Sequence, residues 1–417
     1  MRTAAATALR DFVAAEGVHL DGALRANEKL RTFLANALHG RRLLMVGEPD
    51  HWIAQKSPYR MMLARAGAAL GFSWFGDELS WSDGWRLDGY LRDGDAQVLE
   101  RISYYGYRGD LRRDRDDSPT GILARPAGDT ERAFAADHRR FVQGLRRALT
   151  RPRPLRTGAQ PRSVRLFGFD VDGVPGGAYA DVRRMATDMG IRLPGAVWPV
   201  ADESIDAEIA RLDRVVQGAA TLPLPVRQAL ETLRDSLAYV RLAHPAASYE
   251  ALRPAMAQRE RVMLQHVERV LDALPPGTGL TLWGHNLHLA RDDTALPEQP
   301  GAGPGGDCER SLGHMLNRRL GQDVYTVWLV CGEGRDLQPF TELTRQLAPP
   351  PDSLNAALAA VGGNFLIPTR GRHPGARLLN RPGDLYQLYN QPTRLVLAEQ
   401  ADAVCFVARQ SPLPPPG

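Results

Sequence analysis

The sequence predicts an α/β protein with a central, mainly parallel sheet flanked by helices, and with an appended helical region. Two observations predict the sheet: apolar runs of strand length end in polar clusters, and apolar residues at helical spacing lie between those runs. A third predicts the helical region, because residues 200–270 keep helical spacing almost throughout. Ligands of such folds bind beyond the carboxyl ends of the strands.

Four segments share the order of apolar strand, glycine and polar cluster. They are Leu43–His51, Phe72–Glu78, Val164–Asp170 and Leu280–His288. A single segment of this kind is ordinary loop polarity, but four of them in one chain predict a functional site. If the four strands are parallel neighbours, six side chains converge on one crevice: Glu48, His51, Glu78, Asp170, His285 and His288.

The remaining elements follow from spacing and composition. Helices are predicted over about 7–39, 58–70, 133–149 and 312–320, and another contains the aromatic residues from Trp81 to Tyr90. The apolar runs Val324–Val330 and Ala403–Val407 predict two more strands, so that six strands are expected in all.

The length of 417 residues, 43% of them hydrophobic, is ample for one elaborated domain over 1–417. Residues 106–161 read as a charged insertion, and 200–270 as a helical subdomain or lid. The glycine-rich stretch 301–306 lacks the lysine of a phosphate loop, so we expect a mobile loop bordering the site. The proline-rich residues 410–417 predict a flexible tail.

Charge and cysteine content exclude several classes of protein. The net charge of +4 is spread thinly, whereas a nucleic-acid-binding protein needs a concentrated basic stripe. No apolar run has the length of a signal peptide core or a membrane span, so we expect a cytoplasmic protein without a membrane partner. The three cysteines lack CxxC spacing, which argues against a disulfide scaffold and a cysteine-based zinc site.

A histidine flanked by carboxylates supports three chemistries. In the first, His51 activates water as a general base, without a cofactor. In the second, His51, His285, His288 and carboxylates hold a divalent metal. In the third, the chain is an inactive binding protein. No G-x-S-x-G segment stands at a strand end, which disfavours a serine nucleophile.

At these motifs the chain resembles the erythromycin esterase-like family. Gly47-Glu48-Pro49-Asp50-His51 followed by Arg60 matches its first motif, and Gly71-Phe72 with Glu78 matches the second strand. Gly168-Phe169-Asp170 and Trp283-Gly284-His285-Asn286-Leu287-His288 match two further motifs. The resemblance covers most of the chain and implies an α/β core with metal-independent hydrolysis.

The resemblance implies catalytic roles for His51, Glu48, Glu78, His285 and Arg60, with His51 as the general base. It implies a small-molecule or natural-product ester or lactone as substrate, in secondary metabolism, with an amide or peptide as a wider option. The chain departs from the family at Asp50, Trp52 and Gln55; the family has glutamate at the position of Gln55.

Six residues are predicted to bind the substrate: Asp50, Trp52, Lys56, Trp81, Asp170 and His288. Trp52 is expected to form a stacking wall, and Asp50 to pair with a cationic or hydroxylated group. The alternative for these two is that Trp52 packs beneath the next helix and Asp50 caps its N-terminus. Lys56 is one of only two lysines, which makes its place five residues after His51 noteworthy. The sequence leaves the oligomeric state open.

Overall fold

The structure is a computed structural model that describes residues 2–101, 128–149, 164–171, 175–198, 200, 203–243, 249–292, 311–337, 344–387 and 392–415. Its strands are β1 Val18–Leu20, β2 Leu43–Glu48, β3 Phe72–Ser80, β4 Arg165–Asp170, β5 Gly279–His285, β6 Val324–Leu337, β7 Thr344–Leu347, β8 Asn364–Pro368, β9 Pro382–Tyr386, β10 Pro392–Val396 and β11 Ala403–Gln410. Its helices are α1 Arg2–Glu16, α2 Glu28–Ala37, α3 Lys56–Ala69, α4 Trp81–Asp93, α5 Gly128–Leu149, α6 Pro175–Asp188, α7 Ile205–Gln217, α8 Leu224–Ala243, α9 Tyr249–Ala273, α10 Leu312–Leu320, α11 Leu354–Ala359, α12 Ala376–Leu379 and α13 Leu397–Gln400.

The chain divides into two compact units, where the sequence predicts one elaborated domain. The first unit comprises Met1–Gly76, Arg125–Arg165 and Leu271–Gly417, and the second comprises Asp77–Ala124 and Leu166–Val270. The helices α6, α7 and α8, and all but the end of α9, belong to the second unit. The predicted helical region, residues 200–270, therefore lies within the second unit.

The sheet of the first unit has the strand order β1-β8-β11-β6-β2-β5, followed by the start of β3, and β7 pairs with β6. The pairs β11–β6, β6–β2 and β2–β5 are parallel, so their carboxyl ends share one edge. On the other side of β11, β8 pairs antiparallel with β11, and β1 pairs antiparallel with β8. This mixed, mostly parallel sheet confirms the predicted fold class.

The central strands are buried on both faces, as expected for parallel strands covered by helices. Every residue of β2 is buried, and the apolar side chains of Leu43–Val46 have no exposed surface. A core cluster joins α1, β6, β8 and β11 through Phe12, Trp328, Phe365 and Phe406, among others. Strands held in this way cannot shift, so the side chains at their ends have fixed directions.

The second unit contains the end of β3, most of β4 and the helix α4. A Cβ atom on Gly84 would collide with the backbone of Gly168, and one on Gly168 would collide with the backbone oxygen of Ser80. The absence of side chains at these two positions lets the start of α4 lie directly against β4. The Ser80 side chain caps α4 by accepting a hydrogen bond from the Asp83 N–H (3.1 Å).

The outcomes of the other sequence predictions vary by region. The helix predicted at 133–149 is confirmed as part of α5. The rest of the predicted insertion, at 106–127 and 150–161, and the glycine-rich stretch 301–306 lie outside the described residues. The described residues between 344 and 400, for which the sequence predicted no elements, include β7–β10 and α11–α13. No described helix is both long enough and apolar enough to cross a membrane.

Candidate active site

Two of the predicted motifs meet where β2 and β5 end. Glu48, the last residue of β2, is the register partner of His285, the last residue of β5. The turns that follow the two strands are joined by the Asn286 N–H, which donates to the backbone oxygen of Glu48 (2.8 Å). The parallel pairing thus brings together two segments that lie more than 230 positions apart in the sequence.

Glu48 is a fully buried carboxylate held by Arg60 of α3. The Arg60 guanidinium donates Nε to Oε2 (2.6 Å) and one terminal nitrogen to Oε1 (2.7 Å), and it is itself buried. Burial raises the pKa of the Glu48 carboxyl, but the charge of Arg60 and the hydrogen bond with His51 outweigh it, so the pKa lies below its ordinary value. Glu48 is therefore ionised at neutral pH.

His51 receives its orientation from this carboxylate. Its Nδ1 lies 2.8 Å from Glu48 Oε1. Because an ionised carboxylate only accepts hydrogen bonds, Nδ1 must carry the proton, and the lone pair of the neutral ring is on Nε2. A buried carboxylate on Nδ1 also stabilises the imidazolium that forms when Nε2 takes up a proton. A general base requires both features: a lone pair on Nε2 and a nearby negative charge that stabilises the protonated ring.

His285 has the opposite tautomer and a different task. Its Nδ1 accepts a hydrogen bond from the Leu287 N–H (3.1 Å), so its Nε2 carries the proton and donates to the backbone oxygen of Pro49 (2.8 Å). The rings of His51 and His285 lie 5.4 Å apart between centroids. Through Pro49, His285 holds the turn between Glu48 and His51.

Lys56 holds the same turn on its other side. Its Nζ donates to the backbone oxygen of His51 (2.9 Å), lies 4.0 Å from the centroid of the Phe134 ring and 3.8 Å from Asp137 Oδ2. Lys56 is 1% exposed, although the sequence predicted that it binds substrate. These contacts support a positioning role, in which the ammonium fixes the His51 carbonyl.

Asp50 and Trp52 lie on either side of His51 and are both buried. Asp50 Oδ1 accepts from the Trp52 N–H (2.9 Å), so it caps the turn, whereas the N-cap position of α3 is occupied by Gln55, whose side chain makes no capping hydrogen bond. The Trp52 ring packs against Phe134 at 5.7 Å between centroids and meets His51 edge-on at 5.8 Å. Trp52 thus packs against α5, and Asp50 caps the turn rather than the helix α3; the substrate-binding roles predicted for both residues stay predictions.

The carboxyl group of Asp50 has an unusual affinity for protons. Burial raises its pKa to about 7, and the negative charges of Asp336 and Glu48 contribute to the increase. The Trp52 N–H and His51 act in the opposite direction and do not compensate for burial. Asp336, near the end of β6, is buried as well, and its pKa is raised for the same reason.

His288 lies in the turn after β5 and is buried. Its backbone N–H donates to the His285 oxygen (3.1 Å), and its own carbonyl accepts from the Gly313 N–H at the start of α10 (2.7 Å). Among the described residues, no group of three or more His, Cys, Asp or Glu side chains is arranged to hold a metal ion.

The second unit contains its own buried charge cluster, centred on Arg259 of α9. Arg259 forms two hydrogen bonds with Asp170, at 2.8 and 2.6 Å, and one with Glu78 Oε1 at 3.1 Å. Trp81, also of this unit, packs against His266 at 5.2 Å between ring centroids. Glu78 and Asp170, both predicted from the sequence, thus share one arginine.

A family model described as erythromycin esterase matches residues 196–410, slightly more than half of the chain. The chain belongs to the erythromycin esterase family. A curated Bacillus subtilis (strain 168) relative, named “Putative hydrolase YbfO”, is 28% identical over 164 residues. The match covers 37% of this chain and 35% of that protein, so it spans about a third of the relative's length.

Solved structures confirm the fold of this erythromycin esterase family member. A Bacillus cereus protein superposes with a TM-score of 0.71 at 13% identity, covering 98% of both chains. A succinoglycan biosynthesis protein has a TM-score of 0.66 at 15% identity, covering 97% of both. A histidine-to-asparagine mutant of the erythromycin esterase EreC, in its open conformation, has a TM-score of 0.64 at 15% identity, covering 96% of this chain and 99% of that one.

Sequence reasoning missed several partners of the family motifs in this chain. Asp137 and Phe134 lie on α5, where their spacing of three places both on one helix face toward Lys56. The sequence shows this spacing, but it does not show that Lys56 is the partner of both side chains. No local sequence pattern indicated a role for Arg259 or Asp336, because their partners lie far away in the sequence.

We expect Lys56→Met to lower the free energy of unfolding by about 2–3 kcal/mol, because the substitution removes a charged donor from the His51 carbonyl and takes away the buried cation beside Asp137. Lys29→Met is the matched control, since Lys29 is exposed and should change stability by less than about 0.5 kcal/mol. Urea denaturation of both variants measures the difference. Equal midpoints would contradict the positioning role of Lys56.

We expect Asp50→Asn to be more stable than the wild type at neutral pH, with an advantage that depends on pH. Because the folded-state pKa is raised from 3.8 to about 7, the native protein retains a proton that the unfolded chain loses between these values, so the wild type loses stability as the pH rises from about 4 to 7. Asparagine does not titrate and still accepts the Trp52 N–H. The difference should grow across this window to at most about 4 kcal/mol and then level off.

Chemical denaturation at a series of pH values between 4 and 8 measures this difference. Asp93→Asn is the control, because Asp93 is exposed and its substitution should give no such trend. A pH-independent difference between wild type and Asp50→Asn would show that Asp50 does not hold its proton in the folded protein.

Proposed function

We propose that this protein is a hydrolase of a small-molecule or natural-product ester or lactone, and that His51 is the general base that activates water. One observation carries the proposal: Glu48, kept ionised by Arg60, accepts a hydrogen bond from His51 Nδ1 and leaves the lone pair on Nε2. Membership in the erythromycin esterase family supports it, as does the word hydrolase in the name of the curated relative.

The proposed reaction needs two proton transfers by one imidazole. His51 Nε2 takes a proton from water as the water oxygen bonds to the substrate carbonyl carbon. The imidazolium so formed donates Nδ1–H to Glu48, whose negative charge stabilises it. When the carbon–oxygen bond of the ester breaks, Nε2 returns the proton to the leaving alkoxide. Water is consumed, and an acid and an alcohol are formed.

The first unit supplies the positioning that this reaction requires. Arg60 and Glu48 fix the base, while His285 and Lys56 hold the backbone oxygens of Pro49 and His51 on either side of Asp50. General bases work efficiently only when such contacts hold them within a fraction of an ångström of the productive geometry. The roles predicted for Glu78, Asp170, Trp81 and His288 in catalysis or substrate binding stay predictions.

We expect His51→Ala to lower kcat by about 100- to 10,000-fold on whichever substrate a panel of esters, lactones and amides identifies. Glu48→Gln should also lower kcat and should move the acidic limb of the pH–rate profile to lower pH, because an amide does not stabilise the imidazolium. The matched controls His39→Ala and Glu28→Gln change exposed residues and should leave the rate unchanged. A His51→Ala variant with near wild-type turnover would refute the assignment.

The metal-dependent alternative, with His51, His285 and His288 as ligands, is tested separately. Both ring nitrogens of His285 bond to backbone groups, so a metal bound by His285 would have to displace one of these contacts. We therefore expect prolonged dialysis against a chelator to leave kcat unchanged. Activity that the chelator removes and one divalent ion restores would favour the metal-dependent hydrolase.

A further inference from the structure

The chain returns to the His51 turn after its last strand. Beyond the end of β11, Ser411–Leu413 runs antiparallel to Trp52–Gln55, and Ile53 pairs with Pro412 in an isolated bridge. The Ala54 N–H donates to the Ser411 oxygen (2.9 Å), and the Leu413 N–H donates to the Trp52 oxygen (3.0 Å). We call Ser411–Leu413 the strap.

The Gln55 side chain adds two hydrogen bonds to Ser411, which we call the clasp. Its Oε1 accepts from the Ser411 N–H (3.0 Å), and its Nε2 donates to Ser411 Oγ (3.2 Å). With the two backbone bonds, four hydrogen bonds tie the strap to the turn. Leu413 and Ile53 are both buried.

The strap holds a part of the turn that His285 and Lys56 do not reach. His285 and Lys56 bind the carbonyls of Pro49 and His51, whereas the strap binds Trp52, Ala54 and Gln55, one to four positions after His51. Ordering a residue costs about 1–2 kcal/mol in backbone entropy, so an unsupported turn of this length would sample many conformations. Hydrogen bonds along the turn reduce that freedom before substrate binds.

We propose that the strap and Gln55 are positioning elements for His51: they fix the turn that aims Nε2, although no strap residue needs to touch substrate. The proposal rests on the proposed function of His51 and extends it to a segment about 360 positions away. It also assigns a use to Gln55, where this chain departs from the family pattern. The sequence predicts a flexible tail at 410–417 from its prolines. Over the three residues of the strap, this segment is instead hydrogen-bonded to the His51 turn.

The test uses two disruptive variants of the full chain and one conservative variant. Gln55→Ala removes the clasp, and Ser411→Pro removes both the N–H and the hydroxyl of Ser411. Gln55→Glu retains the clasp, because a carboxylate accepts from both the Ser411 N–H and its O–H. Pro414→Ala, just beyond the strap, is the control.

We expect Gln55→Ala and Ser411→Pro to lower kcat by about 10- to 100-fold with KM changed less than threefold, since small misplacements of a catalytic group are costly. Gln55→Glu should recover most of the loss. Hydrogen exchange should rise at the amides of Ala54 and Leu413 and stay unchanged in β2 and β5. Unchanged kcat and unchanged exchange in both disruptive variants would overturn the proposal.

A purely structural role would give a different result. Exchange would then rise throughout the first unit, and the melting temperature and kcat would fall together; this outcome also overturns the proposal. If the wild type hydrolyses nothing in the panel, the proposed function fails, but the strap is still tested by the nitrogen resonances of the His51 ring. Loss of the single Nδ1–H tautomer in Gln55→Ala would support positioning, and its retention would refute it.

Discussion

The first unit depends on one buried carboxylate that stays charged. An ionised Glu48 in a fully buried position would be costly to desolvate if it stood alone, and the two-point contact with Arg60 makes the charge tolerable. Glu48 Oε1 also accepts a hydrogen bond from His51 Nδ1. The stability of the fold and the chemistry of the histidine therefore share one ion pair, and loss of Arg60 would affect both.

The same solution recurs in the second unit with different residues. Arg259 joins Asp170 and Glu78, and Arg86 joins Asp83 and Asp181, all of them buried. A planar guanidinium suits such sites because it satisfies two acceptors at once and stays charged when buried. This chemistry agrees with a chain in which only two of 52 basic residues are lysine.

The sequence predicted the polar clusters at the strand ends, because an apolar run followed at once by several polar residues is visible in a short stretch of sequence. It also led correctly to the pairing of the Glu48 and His285 segments, since both end strands of the same sheet. It did not predict β7–β10, because these strands of four or five residues lack a long apolar run. Nor could it distinguish the tautomers of His51 and His285, which depend on partners elsewhere in the fold.

The two lysines of the chain occupy opposite environments. Lys29 is exposed on α2, whereas Lys56 is 1% exposed beneath the His51 turn. Among the lysine side chains, an amine-reactive reagent under native conditions therefore meets only Lys29. The protein thus offers a single lysine side chain for attachment of a dye or a solid support, and attachment there leaves the amine beside the histidine unmodified.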